Sequence, residues 1–231
     1  MQNIDFNDRH VVITGGAGAL GSAVVRRLID AGATCWVPCF NQDELDAFEL
    51  ASHERVHTAV DVDLTDESAC DAFFSKPPSL WASIHIAGGF AMGGVRDTGA
   101  DDWRRMMDMN ATSCFLSCRE AVKRMTGGGR IVNVAAKPAL EPAGGMIPYS
   151  ASKAAVASIT QSLAEEVKAD GIWVNAIVPS ILDTPANREA MPKADHDAWP
   201  SVDDVAATVV FLASPQNAVT RGALVPVYGK S

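Results

Sequence analysis

Residues 11–21 read Val-Val-Ile-Thr-Gly-Gly-Ala-Gly-Ala-Leu-Gly, and this stretch decides the fold. The three β-branched apolar residues predict a short strand. Four glycines among residues 15–21 predict a tight turn whose amides can approach a ligand closely, because glycine has no Cβ. From Ser22 onward the apolar residues have helical spacing. A strand, a turn with the G-x-G-x-x-G pattern from Gly16 to Gly21, and a helix can together hold a pyrophosphate. A tight turn without a ligand is the alternative.

The same alternation of strand and helix continues along the whole chain. It predicts one α/β domain over residues 1–231, a doubly wound parallel sheet of about seven strands with helices on both faces. After the first strand, the predicted strands are 33–39, 56–60, 80–86, 130–134, 172–178 and 223–227. After the helix that follows the glycine turn, the predicted helices are 42–50, 66–75, 101–125, 148–169 and 202–213.

Composition excludes several classes of function. The chain has 231 residues, 48% of them apolar, and a net charge of −9, which argues against a nucleic acid or an anionic membrane as partner. Residues 1–10 contain acids and no apolar run, so we expect no signal peptide. No apolar stretch approaches the ~20 residues of a membrane-spanning helix. We therefore predict a cytoplasmic protein with a small-molecule substrate.

Five cysteines, an odd number, are typical of reduced thiols. Cys114 and Cys118 are four residues apart on a predicted helix, but the sequence shows no histidine or carboxylate cluster that joins them. We interpret these two cysteines as small core residues and expect no metal site. The same interpretation applies to Cys35, Cys39 and Cys70.

Ligands of doubly wound sheets bind beyond the carboxyl ends of the strands. The segments in those positions are 15–21, Asn41, Asp63 with Leu64, Ala87 to Gly89, 135–137, and 179–180. Tyr149 and Lys153 open the helix 148–169, and their i, i+4 spacing puts them on one helix face. An unperturbed tyrosine titrates near ~10, and a neighbouring ammonium lowers its pKa, so the tyrosine can exchange a proton. An ordinary amphipathic helix with a surface Tyr and Lys is the alternative.

Taken together, these motifs resemble the short-chain dehydrogenase/reductase family over essentially the whole chain. The resemblance implies a Rossmann fold, a bound nicotinamide dinucleotide, Tyr149 as proton donor or acceptor, Lys153 as the ribose ligand that tunes it, and Asn110 as the residue that holds the long helix and a proton-relay water. The cofactor-binding residues predicted from the motifs are Gly15, Ala17, Ala19, Leu20, Gly21, Asn41, Asp63, Leu64, Ala87, Gly88, Gly89, Tyr149, Lys153, Pro179, Ile181 and Thr184.

The chain departs from the family pattern at several positions. The catalytic serine of the family corresponds to Ala136, so one hydroxyl beside the substrate oxygen is absent. His85-Ile86 replaces the usual Asn-Asn, and we interpret the lone His85 as structural. The chain is similar to the dihydropteridine reductase branch around Gly89, around Ala136 and in 182–195, which implies a quinonoid pterin or a similar flat substrate.

The predicted substrate residues are Phe90, Ala136, Lys137 and Tyr149. Phe90 could stack on a flat substrate or simply cover the pocket, and Lys137 could contact substrate or be solvated. The segment 40–44 has two acids and no cation beside Asn41, which favours NAD(H), with NADP(H) possible. The resemblance also implies a homodimer or homotetramer formed through the helices 101–125 and 148–169.

The sequence leaves three functions open. The first is an NAD(P)H-dependent reductase of a planar conjugated substrate. The second is a carbonyl or alcohol oxidoreductase of the same family. The third is a dinucleotide-binding regulator without turnover, which the alanine at position 136 favours and an intact Tyr149, Lys153 and Asn110 oppose.

Overall fold

A sheet of seven parallel strands organises the described residues, 4–231, of the computed structural model. The strand order is β3-β2-β1-β4-β5-β6-β7, and each neighbouring pair is parallel. The predicted doubly wound parallel sheet is thus confirmed. The strands are β1 His10–Thr14, β2 Thr34–Pro38, β3 Val56–Ala59, β4 Ala82–His85, β5 Gly129–Val134, β6 Ile172–Pro179 and β7 Leu224–Val227.

Helices connect successive strands and cover both faces of the sheet. They are α1 Ala19–Asp30, α2 Gln42–Asp46, α3 Glu67–Phe74, α4 Ala100–Met106, α5 Ser113–Arg124, α6 Ile147–Glu166, α7 Pro185–Ala190 and α8 Val202–Ala213. A π-helical segment, Met107–Thr112, joins α4 to α5, and short 3-10 turns cover 137–139, 168–170 and 196–198.

The core lies on both sides of the sheet, as the run of β-branched residues in β1 requires. Val11 and Ile13 pack in the cluster that contains the buried faces of α1 and α8. Val12, between them, points to the cluster that contains residues of α3, α5 and α6. Because both faces are covered, a polar side chain on the sheet must either be hydrogen-bonded within the core or lie at an edge.

Three elements differ from the sequence prediction. The helix predicted over 42–50 ends at Asp46, because α2 buries no side chain whose packing would extend it. The helix predicted over 101–125 contains the π-helical segment. The short helix α7 was not predicted, although Pro185 stands at its first position and the Thr184 hydroxyl caps it by accepting from the Asn187 amide.

In the glycine turn after β1, backbone segments approach one another so closely that two of the glycines leave no space for a Cβ atom. Gly15 has φ +66°, and a Cβ there would lie 2.7 Å from the Ala87 amide nitrogen. A Cβ at Gly21 would overlap the carbonyl oxygen of Gly15, whereas one at Gly18 would meet nothing closer than 3.4 Å. The start of α1 is therefore packed directly against the turn, while the top of the turn is open.

We predict that Gly21→Ala lowers the free energy of unfolding by about 2 kcal/mol or more, because the new methyl group overlaps backbone that has no room to move. Gly18→Ala is the matched control in the same turn. Its expected change is within about 1 kcal/mol, since the backbone is extended there and the space is open. Urea denaturation of both variants measures the difference, and equal stabilities would contradict this account of the turn.

Candidate active site

Hydrogen bonds of Asn110 link the loop after β4 to the helical segment that contains this residue. It is 1% exposed and lies in the π-helical segment. Its Oδ1 accepts from the Gly89 amide at 3.1 Å, and its Nδ2 lies within hydrogen-bond distance of the Gly89 carbonyl oxygen at 3.0 Å and the Met106 carbonyl oxygen at 3.1 Å. A π-helical turn is common at functional sites because it re-aims one side chain. Here the side chain holds the loop that follows β4.

Asn110 is also within hydrogen-bond distance of a residue of α6. Asn110 Nδ2 is 3.1 Å from Ser152 Oγ, and that hydroxyl donates to the Tyr149 carbonyl at 2.8 Å. A Cβ at Gly88 would come within 2.5 Å of Asn110 Oδ1 and 3.4 Å of Lys153 Nζ. The structure therefore brings together Gly88, Asn110, Lys153 and the start of α6.

Lys153 and Tyr149 occupy the same side of α6, one turn apart. The Lys153 ammonium is 6% exposed and donates to the Val134 carbonyl at 2.8 Å. Burial lowers the pKa of Lys153 to about 8. Burial also raises the pKa of the Tyr149 phenol to about 12. The predicted lowering of this tyrosine's pKa is therefore wrong for this structure, because desolvation of the phenol outweighs the ammonium one turn away.

Of the residues around Tyr149, Ala136 is buried and Phe90 is exposed. Ala136 is 3% exposed and precedes the turn 137–139, which packs against α6. The Phe90 ring meets the Tyr149 ring edge-on, with centroids 4.9 Å apart, and is 58% exposed. Lys137 lies over the ring of Tyr228 at 4.9 Å and is 3.8 Å from a Glu141 carboxylate oxygen. Lys137 is therefore held at the edge of the site by residues of the chain itself.

The carboxyl end of β2 carries a fixed negative charge. Asn41 Oδ1 accepts from the Glu44 amide at 2.9 Å, and the Glu44 carboxylate folds back to accept from the Phe40 amide at 2.7 Å. Ala17 lies in the glycine turn at the end of the neighbouring strand β1. Arg55 donates to the Gly32 carbonyl at 2.9 Å, near the amino ends of the strands, and therefore lies away from this site.

The other predicted cofactor residues lie in or after the carboxyl ends of their strands. Asp63 Oδ1 accepts from the Thr65 amide and hydroxyl in a turn after β3 that also contains Leu64. Pro179 ends β6, Ile181 is 39% exposed, and Thr184 caps α7. Leu20 is buried in the first turn of α1, and Ala19, which starts that helix, is exposed. Among residues 4–231, no side-chain hydrogen bond, ion pair or ring contact joins these outer positions to Tyr149.

One prediction about the cysteines is wrong. His85 joins Cys114 and Cys118, and the ligand atoms of the three residues all lie within 4.8 Å of one another in the core. The sequence could not show this, because His85 is on β4 and the cysteines are on α5, 29 residues or more further along the chain. Their proximity depends on the packing of α5 against the sheet. His85 is also not alone: it hydrogen-bonds with Ser83 and Asn133.

The fold and this edge of the sheet define a dinucleotide-binding oxidoreductase. A family model described as short chain dehydrogenase matches residues 9–195. The chain belongs to the short-chain dehydrogenase/reductase family, and it is an NAD(P)-dependent enzyme of that family. No helix within residues 4–231 is long and apolar enough to cross a membrane.

Similar proteins cover nearly the full length of the chain. A protein of Escherichia coli (strain K12) named cyclic-di-GMP-binding biofilm dispersal mediator protein is 30% identical over 232 residues, 97% of each chain. A 3-oxoacyl-(acyl-carrier-protein) reductase FabG of Rickettsia felis is 30% identical over 241 residues, 98% of each chain. The solved structure of BdcA in complex with NADPH superposes with a TM-score of 0.88 at 27% identity and covers 97% of this chain and 95% of that one. These similarities do not show the resemblance to dihydropteridine reductase.

The residues of the site fit a nicotinamide dinucleotide. Gly18 and Ala19 are exposed at the start of α1, so backbone amides and the positive end of the helix dipole face outward there. Gly88 leaves space next to Asn110 and Lys153 that a Cβ would fill. The two regions lie at one edge of the sheet, since the Ala87 amide hydrogen-bonds the Thr14 hydroxyl at 3.3 Å.

We predict that Tyr149 stays un-ionised well above pH 10 in the protein without cofactor. The chain has two tyrosines, so Tyr228→Phe leaves Tyr149 as the only phenol to titrate by ultraviolet absorbance. Because the folded pKa of about 12 exceeds the unfolded value near ~10, this group's contribution to stability is complete below pH 10 and is lost as the pH rises from 10 to 12. A titration midpoint at or below pH 10 in the folded protein would contradict this burial.

Proposed function

We propose that this enzyme uses NADH to reduce a planar, conjugated acceptor of the quinonoid dihydropterin class. The observation that carries the proposal is the combination of Tyr149, Lys153 and Asn110 at one edge of the sheet with a buried methyl group, Ala136, at the position of the family serine. A bound reduced nicotinamide supplies the hydride, and the protein supplies position and a proton.

We assign the cofactor to the carboxyl edge of the sheet. The amides of Gly15 to Gly21 would hold the pyrophosphate at the start of α1. Asn41 would hydrogen-bond the adenosine ribose, and Asp63 with Leu64 would contact the adenine. Ala87 to Gly89 would bind the nicotinamide half of the cofactor together with Pro179, Ile181 and Thr184.

We propose that Tyr149 supplies the proton for the reduction. Its phenol donates to the substrate as the hydride arrives. Lys153, which donates to the Val134 carbonyl, would hydrogen-bond the nicotinamide ribose of a bound cofactor, and its charge would stabilise the tyrosinate that forms. Asn110 keeps the loop after β4 and the first turn of α6 in register, through Gly89 and Ser152.

Ala136 selects the substrate. Reduction of a simple ketone puts negative charge on one oxygen, and losing one hydrogen-bond donor at such an oxygen typically costs about 10²–10³ in rate. A conjugated quinonoid ring spreads that charge over several heteroatoms, so it depends less on a second donor. The exposed Phe90 ring, edge-on to Tyr149, offers an apolar face on which a flat substrate can stack. Lys137, paired with Glu141, is a weaker candidate for a substrate contact.

Two other functions have an observation in their favour. The similarity to FabG favours an ordinary carbonyl or alcohol oxidoreductase. The alanine at position 136 and the similarity to a protein named for binding cyclic-di-GMP favour a dinucleotide-binding regulator. The regulator would bind the cofactor without turnover on every substrate tested, which separates it from both enzymes.

We also propose a homodimer or homotetramer through the two long helices. Trp103 on α4 and Phe115 on α5 are 43% and 52% exposed, and large apolar side chains in such positions favour a protein contact. Sedimentation of wild type and of Phe115→Glu tests the contact.

We predict tighter binding of NADH than of NADPH, because the Glu44 carboxylate at the end of β2 repels a 2′-phosphate. Glu44→Gln removes that charge and should tighten NADPH by about fivefold while NADH changes little, as expected for about 1 kcal/mol between unit charges near 4 Å in water. Asp46→Asn, on the same short helix, is the matched control and should leave the affinities for NADH and NADPH unchanged. Fluorescence titration with each cofactor measures both dissociation constants, and tighter binding of NADPH by the wild type would contradict the preference for NADH.

We predict that kcat/KM for a quinonoid dihydropterin exceeds that for simple ketones by at least about 10², the usual cost of a missing donor. Ala136→Ser should raise ketone reduction without improving reduction of the conjugated substrate. The measurement is kcat/KM for both substrate classes in both proteins. Efficient reduction of ketones by the unmodified enzyme, with no activity on conjugated acceptors, would contradict the proposal and leave the family assignment intact.

A further inference from the structure

A cluster of metal-ligating side chains lies in the core, outside the residues assigned to the reaction. We call His85, Cys114 and Cys118 the His–Cys–Cys cluster. Their exposed fractions are 4%, 5% and 2%. His85 ends β4, and the two cysteines are one turn apart on α5. The reaction assigned above uses none of these three side chains.

The donor atoms converge on one point. His85 Nδ1 is 3.5 Å from Cys118 Sγ, and Cys114 Sγ lies within 4.8 Å of the ligand atoms of both residues. A fourth donor, Asn133 Oδ1, lies 2.8 Å from His85 Nδ1 and 3.5 Å from Cys118 Sγ. In a tetrahedral zinc site with ordinary bond lengths, the nitrogen–sulfur and oxygen–sulfur edges are about 3.6 Å and the nitrogen–oxygen edge about 3.4 Å. The three distances among His85 Nδ1, Cys118 Sγ and Asn133 Oδ1 are each within about 0.6 Å of these edges.

From this geometry we propose that the protein binds one Zn²⁺ between His85 Nδ1, Cys114 Sγ, Cys118 Sγ and Asn133 Oδ1. Cysteine sulfur and histidine nitrogen are the donors of structural zinc sites, which are four-coordinate, and here the Asn133 amide oxygen fills the fourth position. Two thiolates cancel the charge of the ion, so the site adds no net charge to the core. An unbalanced ion at the same depth would be strongly unfavourable.

The second layer of hydrogen bonds is already in place. Asn133 Nδ2 donates to Thr160 Oγ1 at 2.9 Å, and that hydroxyl donates to the Val156 carbonyl at 2.8 Å, so Asn133 Oδ1 points at His85. Ser83 Oγ lies 2.7 Å from the other ring nitrogen, Nε2. Outer partners of this kind hold a metal-bound histidine in the correct orientation.

Metal uptake balances as an exchange of protons. Before binding, His85 Nδ1–H donates to Asn133 Oδ1, and Nε2 accepts from Ser83. On binding, the proton moves from Nδ1 to Nε2, where it is donated to Ser83 Oγ. Cys114 and Cys118 each lose a proton, and two protons are released for one Zn²⁺ bound.

The proposed ion would connect three elements that support the reactive edge. His85 is on β4 directly before the segment 86–89, Asn133 is on β5, and α5 continues from the π-helical segment that contains Asn110. The ion would therefore stabilise the position of the loop after β4 while its ligands stay away from the substrate.

The test measures zinc bound by the full chain. Wild type, Cys118→Ala and Cys35→Ala are stripped with a chelator under reducing conditions, refolded with equimolar Zn²⁺, desalted and analysed for metal. Cys35 is an equally buried free thiol in the cluster that packs on α1 and α8, so Cys35→Ala is the matched control. Replacing Zn²⁺ with Co²⁺ in the wild type adds a spectroscopic readout that needs no variant.

We expect about one Zn²⁺ per chain in wild type and in Cys35→Ala, and an affinity more than about 100-fold weaker in Cys118→Ala. The Co²⁺ protein should show thiolate-to-cobalt charge-transfer absorption and the intense visible bands of a tetrahedral site. Absence of stoichiometric zinc in refolded wild type would overturn the proposal. Undiminished zinc in Cys118→Ala, or a cobalt spectrum without thiolate bands, would overturn it equally.

Discussion

Parallel pairing of all seven strands is the constraint on which the rest of the structure depends. Each parallel connection needs a crossover, and the crossovers of this chain bury both faces of the sheet under helices. Every polar side chain on the sheet must then find a partner inside the core or lie at an edge. The residues assigned to cofactor and substrate lie at the carboxyl edge, and His85, Asn133 and Thr160 form a bonded polar layer within the core.

The sequence predicted the parts of the fold that depend on local chemistry. The strand and glycine turn at residues 11–21 and the helix 202–213 are confirmed, because β-branching, the absence of a Cβ and helical spacing act over a few residues. The π-helical segment was not predicted, since it reflects the bonds of the Asn110 amide to Met106 and to Gly89, which is far away in sequence. The positions of the site residues at one edge were predictable from strand order; their contacts were not.

Burial changes the pKa values of the site residues more than their spacing along the helix does. An i, i+4 pair on α6 predicts that Lys153 lowers the pKa of Tyr149, but both groups are desolvated and the ammonium donates to Val134. Binding of a dinucleotide whose ribose hydroxyls replace that carbonyl would move the ammonium toward the phenol. The same burial explains why the His–Cys–Cys cluster is invisible in sequence: its members meet only when α5 packs on β4.

Tyr149 is proposed to transfer the proton during reduction, and the Tyr149→Phe variant tests this role. The variant keeps the ring that meets Phe90 and removes only the hydroxyl. Tyr228→Phe, the one other tyrosine replaced in the same way, is the control. We expect kcat for Tyr149→Phe to fall by roughly 10²–10⁴ while the dissociation constant for NADH is nearly unchanged, and we expect Tyr228→Phe to keep its kcat. Normal turnover in Tyr149→Phe would contradict the account.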